Sequence, residues 1–589
     1  MFYLRKEGNE FFMRTFNVKI SSAALLLSFC TGSLFADYKM MAYEPKEPAK
    51  VKPTEKVADK RVLVTDLKAI VINGDFNLPP EHVLKTTKGC EFYRISTSMR
   101  QKDRNKLKSK LEKKYLGKPV TFETLSQIKK DVEQFYYDNG QALVAVSVPE
   151  QEVSGNVIVI NVLESKAGTV KMVGNTHFKT DLLMQYVSVE PGDVIYNADV
   201  EEDVFFLNQN NFIKADVVYS PGEAPGTTDV TYNIRDERPF KVYAGADDTG
   251  FKVTDYYRVF FGFNWGNFLD LGHDVSFQYT ASPDFSKFQA FTGYYQLPLP
   301  NKNLLVFFGG YSKIVASNDS IVANVNKGQS LQASGRYVYL FYPRGNWLQE
   351  VKAGIDFKRT NNDLVVGEIY LSSAYASIFQ YMVGYNTSFA WDSQKVEGIV
   401  EGFIQPLTFG SSMNSTNYSR LRPGSATRYA YLKGSMKYNW TWKKTGMGIN
   451  LHSVLQAATG ALLPLEQLGL GGFYSVRGYP ERAVNVDDGW IVNFEVVSPS
   501  TSLVNRKDPH PIDSLKVLGF FDFAIGGLAK TVPGEPGFYG LCGIGPAIRY
   551  DYGSYLHIRG DLGIRLPEVP FGSPSSSRYW GYFSVVGAF

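Results

Sequence analysis

Every second residue is apolar in the segment Val351-Lys352-Ala353-Gly354-Ile355-Asp356-Phe357. A period of two residues places the apolar side chains on one face of a β-strand and the polar side chains on the other. The same period recurs in the segments Tyr385–Trp391, Met436–Trp442 and Ser554–Arg565. In the last segment one face carries Leu556, Ile558, Leu562 and Ile564, and the other carries His557, Arg559, Asp561 and Arg565. These segments therefore predict amphipathic strands.

The strand pattern continues from Phe240 to the C terminus, and helical periodicity is absent there. At roughly 22 residues per strand and connection, this region of about 350 residues suits about 16 strands. The apolar faces could pack together in a soluble sandwich or face lipid in a closed barrel. The length and the aromatic content (37 Tyr, 41 Phe) favour the barrel, because membrane barrels carry aromatic girdles near their strand ends. We predict a transmembrane antiparallel β-barrel over residues 239–589.

The chain ends in an aromatic strand, Tyr579–Phe589, in which Phe583, Val585 and Phe589 share one face. A barrel in lipid must pair its last strand with its first, because a free edge leaves backbone groups unsatisfied. This ending resembles the sorting signal of bacterial outer-membrane proteins, with Phe583 and Phe589 as its residues. The resemblance implies insertion by the barrel assembly machinery. The alternative is an ordinary terminal strand.

Composition excludes several classes of protein. Charged residues make up 20% of the chain, and a net charge of +4 is too small for this length to indicate nucleic-acid binding. The mean hydropathy is -0.18 and no long charge-free apolar run follows residue 40, so we predict no mature transmembrane helix. Zinc-protease, serine-hydrolase and P-loop signatures are absent from the sequence. We predict no catalytic residues and no cofactor.

Metal binding is not expected either. The 6 His are scattered along the chain. Asp487 and Asp488 could together bind a cation, but a metal site needs more converging ligands. We interpret this acidic pair as part of an exposed loop.

The N terminus has the features of a secretory signal. Arg14 and Lys19 flank an apolar stretch, Ser21–Phe35, and Ala36 is a plausible cleavage residue. We interpret residues 1–36 as a signal peptide, with a short membrane anchor as the alternative. Residues 37–61 are rich in Lys, Glu and Pro and predict an extended linker. The remaining cysteines, Cys90 and Cys542, lie in different predicted domains, so no disulfide framework is expected.

Two α+β units precede the predicted barrel and form a loose internal repeat. In residues 62–165, apolar residues at helical spacing predict a helix over Phe122–Tyr137, which Asn139-Gly140 ends. The strands of this unit are predicted at Lys68–Ile72, Ala142–Val148 and Asn156–Val162. In residues 166–238 we predict helices near Thr180–Tyr186 and Ala198–Asn208, and strands at Val170–Val173, Ala215–Tyr219 and Asp229–Ile234.

The most specific motif lies inside the predicted barrel: Leu470-Gly471-Gly472-Phe473-Tyr474-Ser475-Val476-Arg477-Gly478-Tyr479. It resembles the conserved loop of the outer-membrane superfamily that includes BamA, TamA and the TpsB transporters. The resemblance implies that this loop, at the eleventh and twelfth strands, folds back into the lumen and places its arginine against an acidic residue of the wall. An interior guanidinium favours a carboxylate, and glycines let the backbone pass closely. The candidate loop residues are Gly471, Gly472, Val476, Arg477, Gly478 and Tyr479.

The acidic partner is predicted from the segment Phe520-Phe521-Asp522-Phe523-Ala524. It resembles the Phe-x-Asp-x-Gly motif of the same superfamily. Ala524 replaces the usual glycine, which puts a close backbone approach in doubt. We predict that Phe520 and Asp522 anchor the loop and that Arg477 pairs with Asp522. The alternative for Asp522 is an ordinary lumen-facing carboxylate.

Three stretches near the front of the chain resemble the first polypeptide-transport-associated (POTRA) domain of TpsB proteins. They are Tyr115-Leu116-Gly117-Lys118-Pro119-Val120-Thr121, Tyr137-Asp138-Asn139-Gly140 and Val148-Pro149-Glu150-Gln151. Two POTRA domains also fit TpsB proteins, whereas BamA has five. The resemblance implies a ShlB-type POTRA domain at 62–165 and a second one at 166–238, both in the periplasm, with the barrel in the lipid of a bacterial outer membrane.

This resemblance implies a two-partner secretion transporter. Its POTRA domains would capture an unfolded, TpsA-like exoprotein of the haemolysin or adhesin type, which would cross the lumen and fold outside. One alternative is an insertase of the BamA/TamA type, whose loss would lower many barrels rather than one or few clients. A second alternative is a passive porin with appended binding domains.

Overall fold

Two small α+β units precede one large β-barrel along the chain. The computed structural model describes residues 61–75, 77–95, 101–141, 143–251, 254–317, 324–366, 369–504, 511–566 and 577–589. The predicted signal peptide, 1–36, and all but the last residue of the predicted linker, 37–61, lie outside these ranges. Among the described helices, none is long and apolar enough to cross a membrane.

The first unit is a four-stranded sheet with helices packed on it. Its elements are β1 (Val62–Val64), β2 (Ala69–Asn73), a helix Glu81–Thr86, β3 (Gly89–Tyr93), a helix Gln101–Tyr115, β4 (Val120–Thr121), a helix Phe122–Asp138, β5 (Val144–Ser147), a 3-10 turn Ser154–Asn156 and β6 (Val157–Glu164). The strand order is β3-β2-β6-β5, and β1 pairs with β4. The predicted helix from Phe122 and its flanking strands are confirmed with small changes of bounds.

Both long helices of the first unit bury one apolar face against the sheet. The helix Phe122–Asp138 packs on β2 and β6 through Ile128, Val132 and Tyr136, which lie in one apolar cluster with residues of those strands. Thr121 starts this helix by accepting the backbone N–H of Thr124 at 3.2 Å, which satisfies an otherwise unpaired donor. The helix Gln101–Tyr115 was not predicted, because its apolar residues are few and sit among lysines. Those that are buried are Leu107, Leu111 and Tyr115.

The second unit has the predicted elements in the predicted order. They are β7 (Lys166–Val173), helices Thr180–Met184 and Asn197–Leu207, β8 (Ile213–Pro221) and β9 (Thr227–Asp236). The strand order is β7-β9-β8, so β7 and β8 are the outer strands. The helices cover one face of this sheet in a single apolar cluster.

The barrel closes from sixteen antiparallel strands, which confirms the predicted fold class. The strands are β10 (Phe240–Asp247), β11 (Arg258–Phe268), β12 (His273–Ala281), β13 (Phe288–Pro298), β14 (Leu304–Ser317), β15 (Asn324–Leu340), β16 (Trp347–Val366), β17 (Ile369–Trp391), β18 (Gln394–Gln405), β19 (Tyr429–Thr441), β20 (Gly448–Ala458), β23 (Asp488–Val497), β24 (Asp513–Gly527), β25 (Phe538–Tyr552), β26 (Leu556–Arg565) and β27 (Tyr579–Ala588). The short strands β21 (Leu468–Leu470) and β22 (Val484–Val486) form a separate hairpin within the β20–β23 connection.

Alternation along each strand separates a lipid face from a lumen face. On β16, Ile355 is 46% exposed on the outside, whereas Asp356 is 1% exposed. Asp356 accepts a hydrogen bond from Arg336 of β15 at 2.6 Å, so its charge is compensated inside. An apolar exterior and a polar, paired interior are the arrangement that a membrane barrel requires.

The barrel closes where β27 pairs with β10, in register from Tyr243 opposite Ala588 to Asp247 opposite Ser584. The pairing extends to the last residue, because Val242 and Phe589 exchange two backbone hydrogen bonds of 2.9 and 2.8 Å. Phe589 therefore helps to pair the backbone groups along the seam, as a barrel without a free edge requires.

The second unit docks directly on the near rim of the barrel. Lys302, in the turn between β13 and β14, donates to Ser188 Oγ at 2.5 Å and also contacts Asp203. Asn267, near the end of β11, donates to the carbonyl of His177 at 2.9 Å. The apolar core of the second unit continues into the barrel strands through Leu304, Val338, Leu340 and Leu348. These contacts fix which rim faces the α+β units.

Asp236 ties the end of β9 to the turn before the helix Thr180–Met184. Its carboxylate accepts the backbone N–H groups of Thr176, His177 and Phe178 at 2.9, 2.7 and 3.1 Å, and the Thr176 hydroxyl at 2.7 Å. Burial raises the pKa of this carboxyl, but the hydrogen bonds outweigh burial and lower the pKa to about 2. The charged form is therefore the one that stabilises the folded unit.

We predict that Asp236→Asn weakens the second unit by about 1–3 kcal/mol, because charge-assisted hydrogen bonds to three amides are lost. A lowered carboxyl pKa stabilises the fold above its ordinary value of about 4, and the benefit disappears as the pH falls toward about 2. Amide hydrogen exchange at residues 174–186 should be faster in the variant at pH 7, and the difference should shrink on acidification. Glu237→Gln, at an exposed neighbour, is the control. Equal exchange in both variants would contradict the prediction.

Candidate functional site: a loop folded into the barrel

The connection between β20 and β23, residues 459–487, folds back into the barrel. β20 and β23 are the eleventh and twelfth strands of the barrel in sequence order. The hairpin of β21 and β22 stiffens the connection, and its tip carries the predicted motif. The tip packs on the inner wall in one apolar cluster, which includes Leu470, Val476, Tyr479, Ala524 and Leu541. Ala524 stands where the Phe-x-Asp-x-Gly motif has its glycine, and it packs against the loop in this cluster.

Arg477 lies at the tip and is 2% exposed. Its Nε and Nη2 atoms donate to the two carboxylate oxygens of Asp522 at 2.7 and 2.9 Å, and its backbone N–H adds a third bond at 3.0 Å. The guanidinium stacks on Phe520 at 3.5 Å from the ring centroid. The structure therefore brings the three predicted residues Arg477, Asp522 and Phe520 into one contact, and the backbone bond of Arg477 adds to it.

Two acidic partners of Arg477 were not predicted. Its Nη1 donates at 2.8 Å to both Glu495 of β23 and Asp561 of β26. Asp561 also accepts from Arg549 and Arg559, at 2.9 and 2.7 Å. Three guanidinium groups thus face three carboxylates, and the formal charges balance, which a buried ionic cluster requires. The alternation of β26 had already placed Arg559 and Asp561 on one polar face.

The two residues after Arg477 attach the loop to the last strands. Tyr582 of β27 accepts the N–H of Gly478 at 3.0 Å and donates to the carbonyl of Tyr479 at 2.5 Å. The Tyr479 hydroxyl lies 3.3 Å from the backbone nitrogen of Cys542 on β25. Residues 477–479 therefore contact the five consecutive strands β23 to β27. No motif in the sequence marked Tyr582.

Close backbone approach explains the glycines on both sides of the contact. Gly478 has a φ of +105°, which favours glycine, as do the φ values of Gly471 and Gly472, +96° and +108°. On the wall, a Cβ added to Gly543 would lie 1.9 Å from the carbonyl oxygen of Arg477. One added to Gly563 would lie 2.1 Å from the nitrogen of Gly478. These wall glycines were not predicted, because nothing in their own strands signals the approach of a distant loop.

The remaining predicted residues lie elsewhere. Phe583 and Phe589 sit on the outer face of β27, half-exposed and exposed, away from the loop. Their role as a sorting signal stays a prediction. The exposed-loop interpretation is wrong for Asp487, which is fully buried and binds the guanidinium of Arg422. Among the described residues, no group of three or more His, Cys, Asp or Glu could hold a metal ion.

We predict that Tyr582→Phe lowers the free energy of unfolding by about 1–3 kcal/mol, because a buried N–H and a buried carbonyl lose their partner. Tyr579→Phe, on the exposed end of the same strand, should have almost no effect. The measurement is urea unfolding in detergent followed by tryptophan fluorescence, since all seven tryptophans lie at or after residue 265. Identical midpoints for the two variants would show that the hydroxyl does not hold the loop.

Three family models match the chain. The model described as haemolysin secretion/activation protein ShlB/FhaC/HecB matches residues 226–509. The model of the ShlB-type POTRA domain matches residues 95–165. The POTRA model described as surface antigen variable number repeat matches residues 166–236. The matches thus cover most of the first α+β unit, the second unit and most of the barrel.

Curated relatives and solved structures agree with these matches. The heme/hemopexin transporter protein HuxB of Haemophilus influenzae is 23% identical over 412 residues, 65% of this chain and 67% of the relative. The outer membrane transporter CdiB of Dickeya dadantii is 24% identical over 409 residues, 67% of this chain and 69% of the relative. The structure of CdiB from Escherichia coli has a TM-score of 0.77 at 16% identity and covers 95% of this chain and 97% of its own. At that identity the structural likeness establishes the fold.

Proposed function

This chain belongs to the haemolysin secretion/activation family ShlB/FhaC/HecB, and we propose that it exports a partner polypeptide through its barrel. The barrel lies in the outer membrane, and the POTRA domains lie on its periplasmic side. The observation that carries the proposal is the direct docking of the second POTRA domain on the rim of a closed barrel. The lumen of that barrel holds the connection 459–487, called here the motif loop. The proposal assigns transport to the chain rather than catalysis.

The lumen suits an extended polypeptide because its wall is polar and its charges are paired. Arg336 pairs with Asp356 at 2.6 Å, and Lys358 pairs with Glu466 of the loop at 2.7 Å. An unfolded client carries backbone donors and acceptors that need partners away from bulk water. The polar side chains of the lumen wall can exchange a hydrogen bond with one another for a hydrogen bond with the client backbone. We infer that folding of the client outside the cell supplies the direction of transport.

Capture of the client is assigned to a sheet edge of the second POTRA domain. The strand β8 is an outer strand, and an outer strand can bind an extended segment by strand addition. At Ala215 the side chain of Asn208 already occupies this edge. It accepts the backbone N–H of Ala215 at 2.8 Å and donates to the carbonyl of Ala215 at 3.1 Å. The register of β8 against β9 is regular, so the N–H of Val217 points to the same free side. The client is proposed to pair beyond Asn208.

Insertion of this chain itself is assigned to the barrel assembly machinery. The last strand presents Phe583 and Phe589 on its outer face, where a receptor for nascent barrels could reach them. The same strand later closes the seam with β10. This role of the two phenylalanines rests on their position and on the resemblance of the ending to outer-membrane sorting signals.

We predict that deletion of this chain removes one partner exoprotein, or a few, from the cell surface and leaves it in the periplasm. The levels of other outer-membrane barrels should stay unchanged, because an exporter serves its clients and an insertase serves barrels in general. Quantitative proteomics of surface, periplasmic and outer-membrane fractions checks both points. A broad loss of barrels, or an unchanged set of surface proteins, would contradict the export role.

We predict that Val217→Pro reduces export several-fold, because proline removes the outward N–H and blocks strand addition. Val217→Ala is the matched control, since it shortens the side chain but keeps the N–H. Export is measured as the surface level of the partner, and hydrogen exchange of the second POTRA domain verifies that both variants stay folded. Equal export in two folded variants would exclude this edge as the capture site.

A further inference from the structure

The outer end of the motif loop carries a second buried ion pair, distinct from the pair at its tip. Asp487, the last residue before β23, is 0% exposed. Its two carboxylate oxygens accept a forked pair of hydrogen bonds from the guanidinium of Arg422, at 2.6 and 2.7 Å. Such bidentate pairing fixes orientation as well as charge. Arg422 comes from another connection, residues 406–428, between β18 and β19.

Asp487 joins three connections at the outer mouth, the end of the barrel remote from the POTRA domains. Besides Arg422 it accepts the backbone N–H of Leu462, in the ascending limb of its own loop, at 2.9 Å. It also accepts the N–H of Ala529, in the connection between β24 and β25, at 2.9 Å. A single carboxylate thus ties together the segments 406–428, 459–487 and 528–537.

The segment that carries Arg422 is folded inward over the lumen. Its helix Ser415–Leu421 buries Tyr418, whose hydroxyl donates to the carbonyl of Ser377 on β17 at 2.7 Å. Tyr418 packs in one apolar cluster with leucines of the motif loop and with lumen-facing residues of β17 and β19. The members are Ala376, Ile378, Tyr418, Tyr429, Tyr431, Leu462, Leu463 and Leu465. This cluster packs both connections, 406–428 and 459–487, against the inner wall near the outer mouth. A polypeptide that leaves the lumen there has to pass them.

We propose that the Arg422–Asp487 pair is a latch that holds the outer mouth closed when no client occupies the lumen. The pair at Arg477 fixes the tip of the loop to the wall, whereas the latch fixes the base of the loop to its neighbours. Opening separates the two charges, but water that enters the mouth hydrates both, which offsets much of the lost attraction. A buried pair of this kind therefore sets two discrete states, closed and dry or open and hydrated. The role in transport rests on the proposed export function.

Ion conductance of the purified full chain in planar bilayers tests the latch without any client. Arg422→Ala should raise the probability of the open state about tenfold or more, because it removes charged hydrogen bonds that are made only in the closed state. Arg420→Ala is the matched control, since Arg420 is exposed in the last turn of the helix that ends just before Arg422. Asp487→Asn should raise the open probability as well, and the double variant should add little to the larger single effect.

Arg422→Lys distinguishes a latch from a general packing role. Lysine keeps the charge but not the fork, so the open probability should lie between those of the wild type and Arg422→Ala. Heat-modifiable electrophoretic mobility verifies that each barrel is folded, and Arg422→Lys serves as the test variant if Arg422→Ala does not fold. Conductance of the folded test variant equal to that of Arg420→Ala would overturn the latch.

The outcomes separate the latch from the proposed function. Unchanged conductance in the Arg422 variants, with export still lost on deletion of the chain, would refute the latch and leave the export role. Raised conductance, with the surface proteins unchanged on deletion of the chain, would support the latch and refute the export role.

Discussion

A guanidinium buried inside a barrel must meet carboxylates, because an unpaired charge in a dry interior is unstable. Arg477 meets three of them, on β23, β24 and β26. These carboxylates would in turn be uncompensated if the loop left the lumen. Each side therefore requires the other, and the position of the loop follows from charge balance more than from its own conformational preference. The glycines of loop and wall only permit the close approach that this balance demands.

The consequence is a barrel whose last five strands are linked from the inside. The backbone ladders run between neighbouring strands, but the loop crosses them and reaches β27, which also forms the closing seam with β10. At the other end of the lumen the second POTRA domain binds the rim. Lys302 of the barrel contacts Asp203 of this domain, and the two share an apolar cluster. The lumen therefore has a docking platform on the periplasmic side and a folded loop, paired through Asp487 with Arg422, on the outer side. A client would meet these two structures in sequence.

Most of the fold could be predicted because its signals are local. Alternation over two residues gave the strands and their faces, and helical spacing gave the helix from Phe122. The helix Gln101–Tyr115 was not predicted, since only three buried apolar residues among many lysines mark its apolar face. At the site, a motif on each side led to Arg477 and Asp522. Glu495, Gly543 and Tyr582 matter only because a distant loop lands beside them, and a register between loop and wall cannot be read from either segment alone.

Asp487 is a second case in which a distant contact could not be predicted from the local sequence. Two adjacent acids in a connection looked solvated, yet the guanidinium that neutralises Asp487 comes from a residue 65 positions earlier. Long-range charge pairing inside a lumen leaves no local periodicity. Patterns therefore identify which residues face inward, and only the three-dimensional arrangement shows which inward residues meet.

A double-mutant cycle on Arg477 and Asp522 tests the central claim most directly. The free energy of unfolding in detergent is compared for the wild type, Arg477→Gln, Asp522→Asn and the double variant. If charge balance holds the loop in the lumen, the single losses should overlap, with a coupling energy of about 2 kcal/mol or more. Losses that add to within about 0.5 kcal/mol would show two independent residues and would contradict the account.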